Sequence, residues 1–392
     1  MTTRHGISLL TAAILLSALG DFLAVIPLAL HLQHDSGSGI VVAGLFIALW
    51  TPVALLAAPA GLLVDRFDPR RTLIAVSLAQ AVVAAGLAFA GSTAAILALT
   101  ALLGCGVAVA NPAEFALVPA VADETRLKAA NGRIESARYL GYTLGPLLGG
   151  ALAASGGTHV ALLIDAASFA VVALVALVLR PRPAPARDHA DLGRARDGIV
   201  FLLRDRVLAL VISVAFVSLL FMTASATAEV FFATDVLGAG DLGYGVLMTA
   251  WTAGMVLGAI TLPRRVPAAA AATVALVAIA VQGAGLALPT LWLSVGFAAA
   301  AYVVGGSAQG LKNVLIRTLI HERVPERLHG RAYAAYNGLR NGAELVALAG
   351  GGLLVSAIGA RWTLLLAGAL PVLAALAGLA ARRVPHPAPA TT

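Results

Sequence analysis

A chain of 392 residues with 60% apolar residues, 11% charged residues and a mean hydropathy of +0.93 is too apolar to be a water-soluble enzyme. Its net charge of +7 raises the question of nucleic-acid binding, and its one cysteine, Cys105, excludes a disulfide framework and a cysteine metal cluster. At about 20 apolar residues for each span and about 12 for each connection, this length accommodates roughly twelve transmembrane helices.

Twelve apolar runs follow one another along the chain. The first six are predicted at 7–30, 40–63, 72–91, 93–118, 131–154 and 160–179. The last six are predicted at 207–233, 243–263, 267–287, 290–316, 331–356 and 360–380. A polar segment with alternating prolines lies between the two groups. We therefore predict an all-α membrane protein with an N-terminal six-helix bundle at 1–180, a cytoplasmic linker at 181–206, and a C-terminal six-helix bundle with a short tail at 207–392.

The basic residues are distributed asymmetrically between the two sides of the predicted membrane. On this reading, 22 of the 26 lysines and arginines fall on one side, Arg361 falls on the other, and the remaining three lie within spans. Loops rich in lysine and arginine stay in the cytoplasm. The sequence therefore predicts a multi-pass protein of the plasma membrane with both termini in the cytoplasm, and the positive charge reflects topology and not a nucleic-acid partner.

The two halves of the chain resemble each other. A shift of 198 residues places Gly132 and Arg133 on Gly330 and Arg331, and a shift of 201 residues places Trp50 on Trp251. Offsets near half the chain length predict two parallel six-helix repeats, related by an axis along the membrane normal.

The loop between spans two and three reads GLLVDRFDPRR. Its fixed positions are Gly61, Asp65, Arg66, Arg70 and Arg71. This loop resembles the G-x-x-x-D-R-x-x-x-R-[RK] motif of the major facilitator superfamily. The resemblance implies transport by alternating access, with Asp65 and the arginines forming a conformational latch that closes the cytoplasmic side. An alternative is a basic turn that serves topology only.

The corresponding loop of the second half reads LPRRVP, at 262–267. It lacks the acid and the glycine of the first loop. We therefore expect the latch in the first half only.

Span five contains the sequence GYTLGPLLGG. Its small residues and proline are Gly141, Gly145, Pro146, Gly149 and Gly150. Glycines at four-residue spacing allow two membrane helices to approach closely. The segment resembles the G-x-x-x-G-P-x-x-G-G motif of exporters and antiporters in the same superfamily. The alternative is glycine-rich packing without a meaning for transport.

Three further segments resemble the branch of the superfamily that includes enterobactin and macrolide exporters. They are NPA at 111–113, LLIDAASF at 162–169, and KNVLIRTLIHERVPERLHGR at 312–331. The chain lacks the span-four arginine that many exporters of the superfamily carry, so proton coupling through that arginine is not expected.

Two carboxylates inside spans are candidates for proton coupling. Asp21 lies past the middle of span one, and Glu229 lies near the outer end of span seven. A charged group at the centre of a membrane helix costs roughly 2.5–3.5 kcal/mol on insertion scales, so each requires a reason. The superfamily fold implies that spans one and seven line the central cavity, where both groups can exchange protons. The alternative is a local structural role for each.

Several other residues are candidates for the cavity or its gate. Glu114 and Lys312 are separated by the repeat offset of 198, which predicts opposite charges at equivalent depths. They form either a gate across the cavity or two independent snorkelling side chains. Trp50 and Trp251, in the middle of their spans, are predicted to line or seal the cavity.

Two pairs of opposite charges are spaced for contact on a single helix. Arg138 follows Glu135 by three residues, and Glu344 follows Arg340 by four. Such spacing predicts mutual neutralisation. Arg138 and Arg340 therefore belong with the cavity candidates, with structural pairing as their expected role.

The sequence offers no catalytic arrangement, no Walker loop and no metal motif, so we expect neither an enzyme nor a cofactor, a nucleotide or a nucleic acid as partner. The predicted function is proton-coupled export of a small amphipathic organic molecule by a protein embedded in the lipid bilayer. The alternatives are a proton-coupled uptake symporter, a lipid flippase and a membrane receptor that does not transport.

Overall fold

The computed structural model describes residues 3–121, 127–179, 204–325 and 329–383, and for some residues inside these ranges it describes the backbone only. Helices and short connections make up these ranges, which contain no β-strand. In chain order the helices are α1 (Thr3–Ser36), α2 (Gly39–Arg66), α3 (Pro69–Leu87), α4 (Thr93–Val121), α5 (Leu127–Ala154), α6 (Thr158–Val178), α7 (Arg206–Phe231), α8 (Gly240–Thr261), α9 (Ala271–Leu291), α10 (Val295–Arg323) and α11 (His329–Arg383). Most of the predicted linker, 181–206, lies outside the described residues.

The helix boundaries differ from the predicted spans where turn chemistry interrupts an apolar run. Two short 3₁₀ turns, Pro263–Arg265 and Ala268–Ala270, delay the start of α9 beyond the predicted residue 267. The predicted span at 290–316 also begins too early, because α9 continues to Leu291 and the side chain of Ser294 caps α10 by accepting from the Phe297 N–H.

The last helical element contains both of the final predicted spans. It runs from His329 to Arg383 and is broken at Gly359, whose φ of 82° and ψ of 162° lie outside the helical region. A side chain is strained at such a φ, and glycine is not. The break falls between residue 356, where the eleventh span is predicted to end, and residue 360, where the twelfth is predicted to begin.

Nine segments of the described residues are long and apolar enough to cross a membrane. Their outer surfaces expose large apolar side chains, as at Val82 (73%) and Leu55 (68%). A helix that is apolar on all sides is suited to lipid. Helices α5 and α10 are outside this group of nine. Each carries several charged residues, Arg138 and Lys312 among them, which lower its hydropathy.

Contacts within the chain form two compact units. The first unit contains 1–190, 227–252 and 348–360. In it α1 packs on α5 and α6, α2 packs on α4, and α3 packs on α4 and α6. One of its cores joins Leu10 and Ile14 of α1 to Val118 of α4 and Ile134 of α5. The division into two bundles at 180 and 207 stays a prediction from the sequence.

The second unit contains 191–226, 253–347 and 361–392. Helices α9 and α10 pack along each other, and their core joins Ile279 to Leu315 and Ile316. Glycines permit close approach here as well. A Cβ added at Gly283 of α9 would lie 3.1 Å from a methyl group of Val372 on α11. Close packing of this kind is favoured in membranes, where van der Waals contact drives helix association.

Candidate functional site

The glycine motif of α5 brings this helix into close contact with α1. A Cβ added at Gly141 would lie 2.8 Å from the Leu19 nitrogen, and one at Gly145 would lie 2.7 Å from the Phe22 Cβ, both on α1. One at Gly149 would lie 3.1 Å from a carbonyl oxygen of the same helix. The motif therefore sets α1 against α5 at nearly backbone-to-backbone distance.

Gly150 and Pro146 face a different neighbour. A Cβ at Gly150 would lie 2.7 Å from the carbonyl oxygen of Asp241 and 3.0 Å from the Cα of Gly245, both on α8 and in the same unit. The five motif residues thus divide between two helix contacts. The sequence alone gave no sign of the second contact.

A buried ion pair joins α4 to α5. The Arg138 Nη2 donates to the Glu114 Oε2 at 3.0 Å, and Glu114 is only 7% exposed. The expected partner on the same helix, Glu135, lies 3.9 Å from the Arg138 Nε and is more exposed. Removing one partner of a buried pair leaves a costly uncompensated charge. Arg138 therefore pairs mainly with Glu114.

Two further carboxyl groups are linked electrostatically to this pair, Asp21 directly and Asp165 through Asp21. Asp21 of α1 is half-buried and lies within electrostatic range of Glu114 and Arg138. Asp165 of α6 is 2% exposed and lies within electrostatic range of Asp21. Asp165 lies next to Asp21 because α6 packs closely on α1: a Cβ added at Gly20 of α1 would lie 2.6 Å from the Asp165 Oδ1. We call Asp21, Glu114, Arg138 and Asp165 the α1–α4–α5–α6 charge cluster.

The remaining carboxylate candidate, Glu229, lies elsewhere in the first unit. It is half-buried on α7 and within electrostatic range of the buried Tyr244 of α8. The two tryptophans also differ in burial. Trp50 on α2 is 45% exposed, whereas Trp251 on α8 is 8% exposed.

Lys312 and Arg340 lie in the second unit and line one cavity of about 160 Å³. Lys312 is 5% exposed, and its Nζ donates to the Gln282 Oε1 at 2.9 Å. The Arg340 Nε lies 2.8 Å from the Glu344 Oε1, so the expected pair on one helix is present. Gln282 was missed by sequence reasoning, although a glutamine within an apolar run is a signal of its own.

The latch motif spans the end of α2 and the start of α3. Gly61, Arg66, Arg70 and Arg71 are described, but the side chain of Asp65 lies outside the described residues. The Arg70 Nε donates to the Ala176 carbonyl at 2.8 Å, and its Nη2 donates to the Leu177 carbonyl. These are terminal carbonyls of α6, which have no partner within their helix.

The same loop contains a helix cap. The Asp68 Oδ1 accepts from the backbone N–H groups of Arg70 at 2.8 Å and Arg71 at 3.1 Å. Arg66 and Arg71 extend exposed side chains, and a Cβ at Gly61 would meet no atom within 4 Å. The cap and the arginine bonds together fix the junction of α3 and α6.

A second cavity, of about 290 Å³, lies in the first unit. His31, His34 and His159 line it together with Asp241, whose Oδ1 is 3.4 Å from the His34 Nε2. Within the part of the chain that the structure describes, no group of three or more histidines, cysteines or acids is arranged to hold a metal ion.

Comparison with known proteins identifies what this arrangement resembles. The family model described as Major Facilitator Superfamily matches residues 10–347. The uncharacterized MFS-type transporter YfiS of Bacillus subtilis (strain 168) is 27% identical over 97% of this chain and 94% of its own length. The multidrug efflux pump Tap of Mycobacterium tuberculosis (strain ATCC 25618 / H37Rv) is 27% identical over 96% of this chain and 93% of its own length.

Solved structures share the fold at lower identity. The nucleoside transporter NupG is 16% identical, with a TM-score of 0.72 over 97% of this chain and 100% of that chain. A bacterial homologue of the human lysosomal transporter Spinster, solved in an inward-facing conformation, is 15% identical, with a TM-score of 0.74 over 97% of both chains. At this level of identity the likeness concerns the fold alone.

Proposed function

Because the chain belongs to the major facilitator superfamily, we propose that it exports small amphipathic organic molecules by alternating access, driven by protons. The family makes it a multi-pass membrane transporter. Similarity over nearly the whole length to a multidrug efflux pump supports the outward direction. The export-type motif of α5, at the contacts of that helix with α1 and α8, supports the same direction.

The observation that carries proton coupling is the composition of the α1–α4–α5–α6 charge cluster. Among the described residues it combines three carboxyl groups with one guanidinium, and Glu114 already occupies Arg138 at 3.0 Å. Carboxylates that lie close together do not all ionise at once. Binding of a proton at one of them therefore lowers the repulsion. We assign the transported proton to Asp21, with Glu229 as the second candidate.

The architecture that we propose follows from the same family membership. It has twelve spans in two parallel six-helix repeats, with the segments of α11 before and after Gly359 counted as separate spans. The linker at 181–206 joins the repeats, both termini face the cytoplasm, and the protein resides in the plasma membrane. Alternating access then proceeds by rocking of the two repeats about a central cavity.

The direct test measures accumulation of a panel of fluorescent amphipathic compounds in cells with and without the protein, and with and without a proton uncoupler. We expect lower accumulation with the protein and loss of that difference with the uncoupler. Higher accumulation that the uncoupler abolishes would indicate an uptake symporter. Binding without any change in accumulation would indicate a receptor, and selective movement of labelled lipid would indicate a flippase.

A second proposal concerns the latch of the α2–α3 loop. The change Asp65→Asn is expected to slow transport and to raise cytoplasmic accessibility of the cavity, because it removes a contact specific to one conformer. Cysteine accessibility and transport rates measure both effects at equal amounts of inserted protein. The matched control is Arg264→Gln in the corresponding loop, which lacks the acid. Equal losses from both changes would show that the loop serves topology only.

A further inference from the structure

The second unit contains a cavity of about 160 Å³ with one apolar wall and one charged wall. We propose that this cavity binds the anionic group of an amphipathic substrate, a carboxylate or sulfonate attached to an apolar ring. The proposal rests on the proposed export function and specifies its substrate class.

Helix α7 supplies the apolar wall. Ile212, Phe216, Leu219 and Met222 line the cavity from this helix. Their spacing of four, three and three residues places them on one face of a helix. An aromatic ring and a thioether on this wall suit a flat, polarizable ring of a ligand.

Helices α10 and α11 supply the charged wall, which contains Lys312, Arg340 and Glu344. Arg340 and Glu344 contact each other at 2.8 Å and so neutralise each other. Lys312 and Arg340 repel each other, and the Lys312 Nζ donates to the amide oxygen of Gln282. Within the described residues no carboxylate oxygen lies within 4.0 Å of that Nζ. With Lys312 protonated, the wall therefore has an excess of one positive charge.

A buried ammonium group with an amide as its hydrogen-bond partner is poorly compensated. An ammonium has three donors, and the described contact with Gln282 uses one of them. A ligand carboxylate placed in the cavity would accept from Lys312 through a charge-assisted hydrogen bond. Glu344 disfavours such a ligand, but its charge is already balanced by Arg340.

The size of the cavity determines how much of a ligand it holds. A dry protein cavity of about 150 Å³ is known to accommodate benzene. The 160 Å³ available here therefore suits one ring with its acidic group, and the rest of a larger ligand, such as the second fused ring of a naphthalene, lies beyond it. Discrimination by charge then occurs at this position whatever the remainder of the molecule is.

The test uses three probes of one shape and different charge: 2-naphthoate, 2-naphthamide and 2-naphthylmethylammonium. Binding to the purified full-length protein in lipid nanodiscs is measured by titration calorimetry, with saturation-transfer NMR for weak ligands. We expect naphthoate to bind about tenfold more tightly than naphthamide, as a hydrogen bond between charged groups predicts, and the ammonium probe to bind most weakly.

Four variants locate the effect. Lys312→Gln should abolish the preference for naphthoate over naphthamide, and Lys312→Arg should retain it. Glu344→Gln should tighten naphthoate binding several-fold, because it frees Arg340, and this gain stays measurable if the lysine variant does not fold. Arg264→Gln, an exposed arginine outside the cavity, should change nothing. Equal affinity for all three probes, or a preference for the ammonium probe, would overturn the proposal.

Binding and transport separate this inference from the function on which it rests. Charge-selective binding that depends on Lys312, without uncoupler-sensitive export, would refute the proposed export and leave the binding site standing. Uncoupler-sensitive export of cationic compounds only, without binding of naphthoate, would refute the anion site and leave the exporter standing.

Discussion

Arg70 illustrates how a single residue acquires a role that its motif does not state. The family resemblance assigns it to a latch that involves Asp65. In the structure its guanidinium donates to the Ala176 and Leu177 carbonyls at the end of α6. A cation at this position also interacts favourably with the negative end of the helix dipole. Part of the loop motif thus joins two helices within the first unit.

Asp205 is a second residue whose role depends on its neighbours. Its Oδ1 accepts from the backbone N–H groups of Val207 and Leu208, both at 2.9 Å, and its Oδ2 lies 3.0 Å from the Arg323 Nη1. Burial raises the pKa of the Asp205 carboxyl, but the Leu208 N–H and the Arg323 guanidinium outweigh burial and hold the pKa below its ordinary value. The residue caps the start of α7.

Replacing Asp205 with alanine should destabilise the protein by about 1 kcal/mol, the usual cost of losing a helix N-cap. A carboxyl group with a lowered folded-state pKa stabilises above its unfolded pKa, and the contribution is lost as pH falls through the folded pKa. The loss should therefore be full at pH 7 and shrink below about pH 4. Thermal unfolding of the purified protein across pH measures it. Asp205→Asn, which keeps the acceptor, should lose less, and an equal loss would contradict the cap.

Asp21 is the residue that tests proton coupling. Asp21→Asn should abolish uphill export that is sensitive to an uncoupler while ligand binding and downhill exchange persist, because the variant cannot change its charge during the cycle. Export and counterflow in sealed proteoliposomes measure the two activities. Glu229→Gln tests the second candidate, in a separate part of the same unit, by the same two measurements. If both variants still concentrate substrate against its gradient, neither carboxylate couples transport to protons.

At the scale of elements, α5 is the helix on which most of the candidate site depends. Its glycines allow contact with α1 and α8, and Arg138 joins it to α4. Glycine lowers helix propensity by about 1 kcal/mol relative to alanine. The same residues therefore weaken the isolated helix and strengthen its packing. Close glycine contacts and the pairing of Arg138 with Glu114 together allow this charged helix to pack in the first unit.

The substitution Gly145→Ala tests the packing of α5 against α1. The new Cβ would lie 2.7 Å from the Phe22 Cβ and 3.0 Å from the Leu19 oxygen, so α1 and α5 must separate. Overpacking of this kind costs about 1–3 kcal/mol. The matched control on the same helix is Gly132→Ala, where nothing lies within 4 Å. We expect a lower unfolding temperature for the first variant and an unchanged or higher one for the second. Similar values for both would mean that α1 and α5 are not in close contact.

At the scale of the whole molecule, the distribution of basic residues predicts its orientation in the membrane. In a variant whose Cys105 is replaced by alanine, cysteines at Ser36 and Leu242 should react with an impermeant reagent from outside the cell. Cysteines at Asp191 and Thr391 should not. Leu242 is preferable to the neighbouring Gly240, whose φ of 65° would strain any side chain. External labelling at Asp191 would contradict the proposed number of spans.

The class of the molecule and its family could be predicted from the sequence. Hydropathy and the placement of lysine and arginine are properties of the chain in one dimension, so they predicted membrane helices without reference to contacts. The GLLVDRFDPRR loop indicated the superfamily because its residues are consecutive. Helix boundaries were less accurate near 263–270 and 290–295, where prolines and a serine cap interrupt apolar runs that hydropathy alone treats as continuous.

The contacts between buried charges, in contrast, could not be predicted without the packing of the helices. Glu114 and Arg138 are 24 residues apart, and Lys312 and Gln282 are 30 apart, so each contact depends on the rotation and depth of two different helices. Hydropathy carries no information on either quantity. The contact of Arg340 with Glu344 was predictable because both residues lie on one helix, four residues apart. Within a helix the 3.6-residue period fixes neighbours, whereas between helices packing of small residues such as Gly145 fixes them.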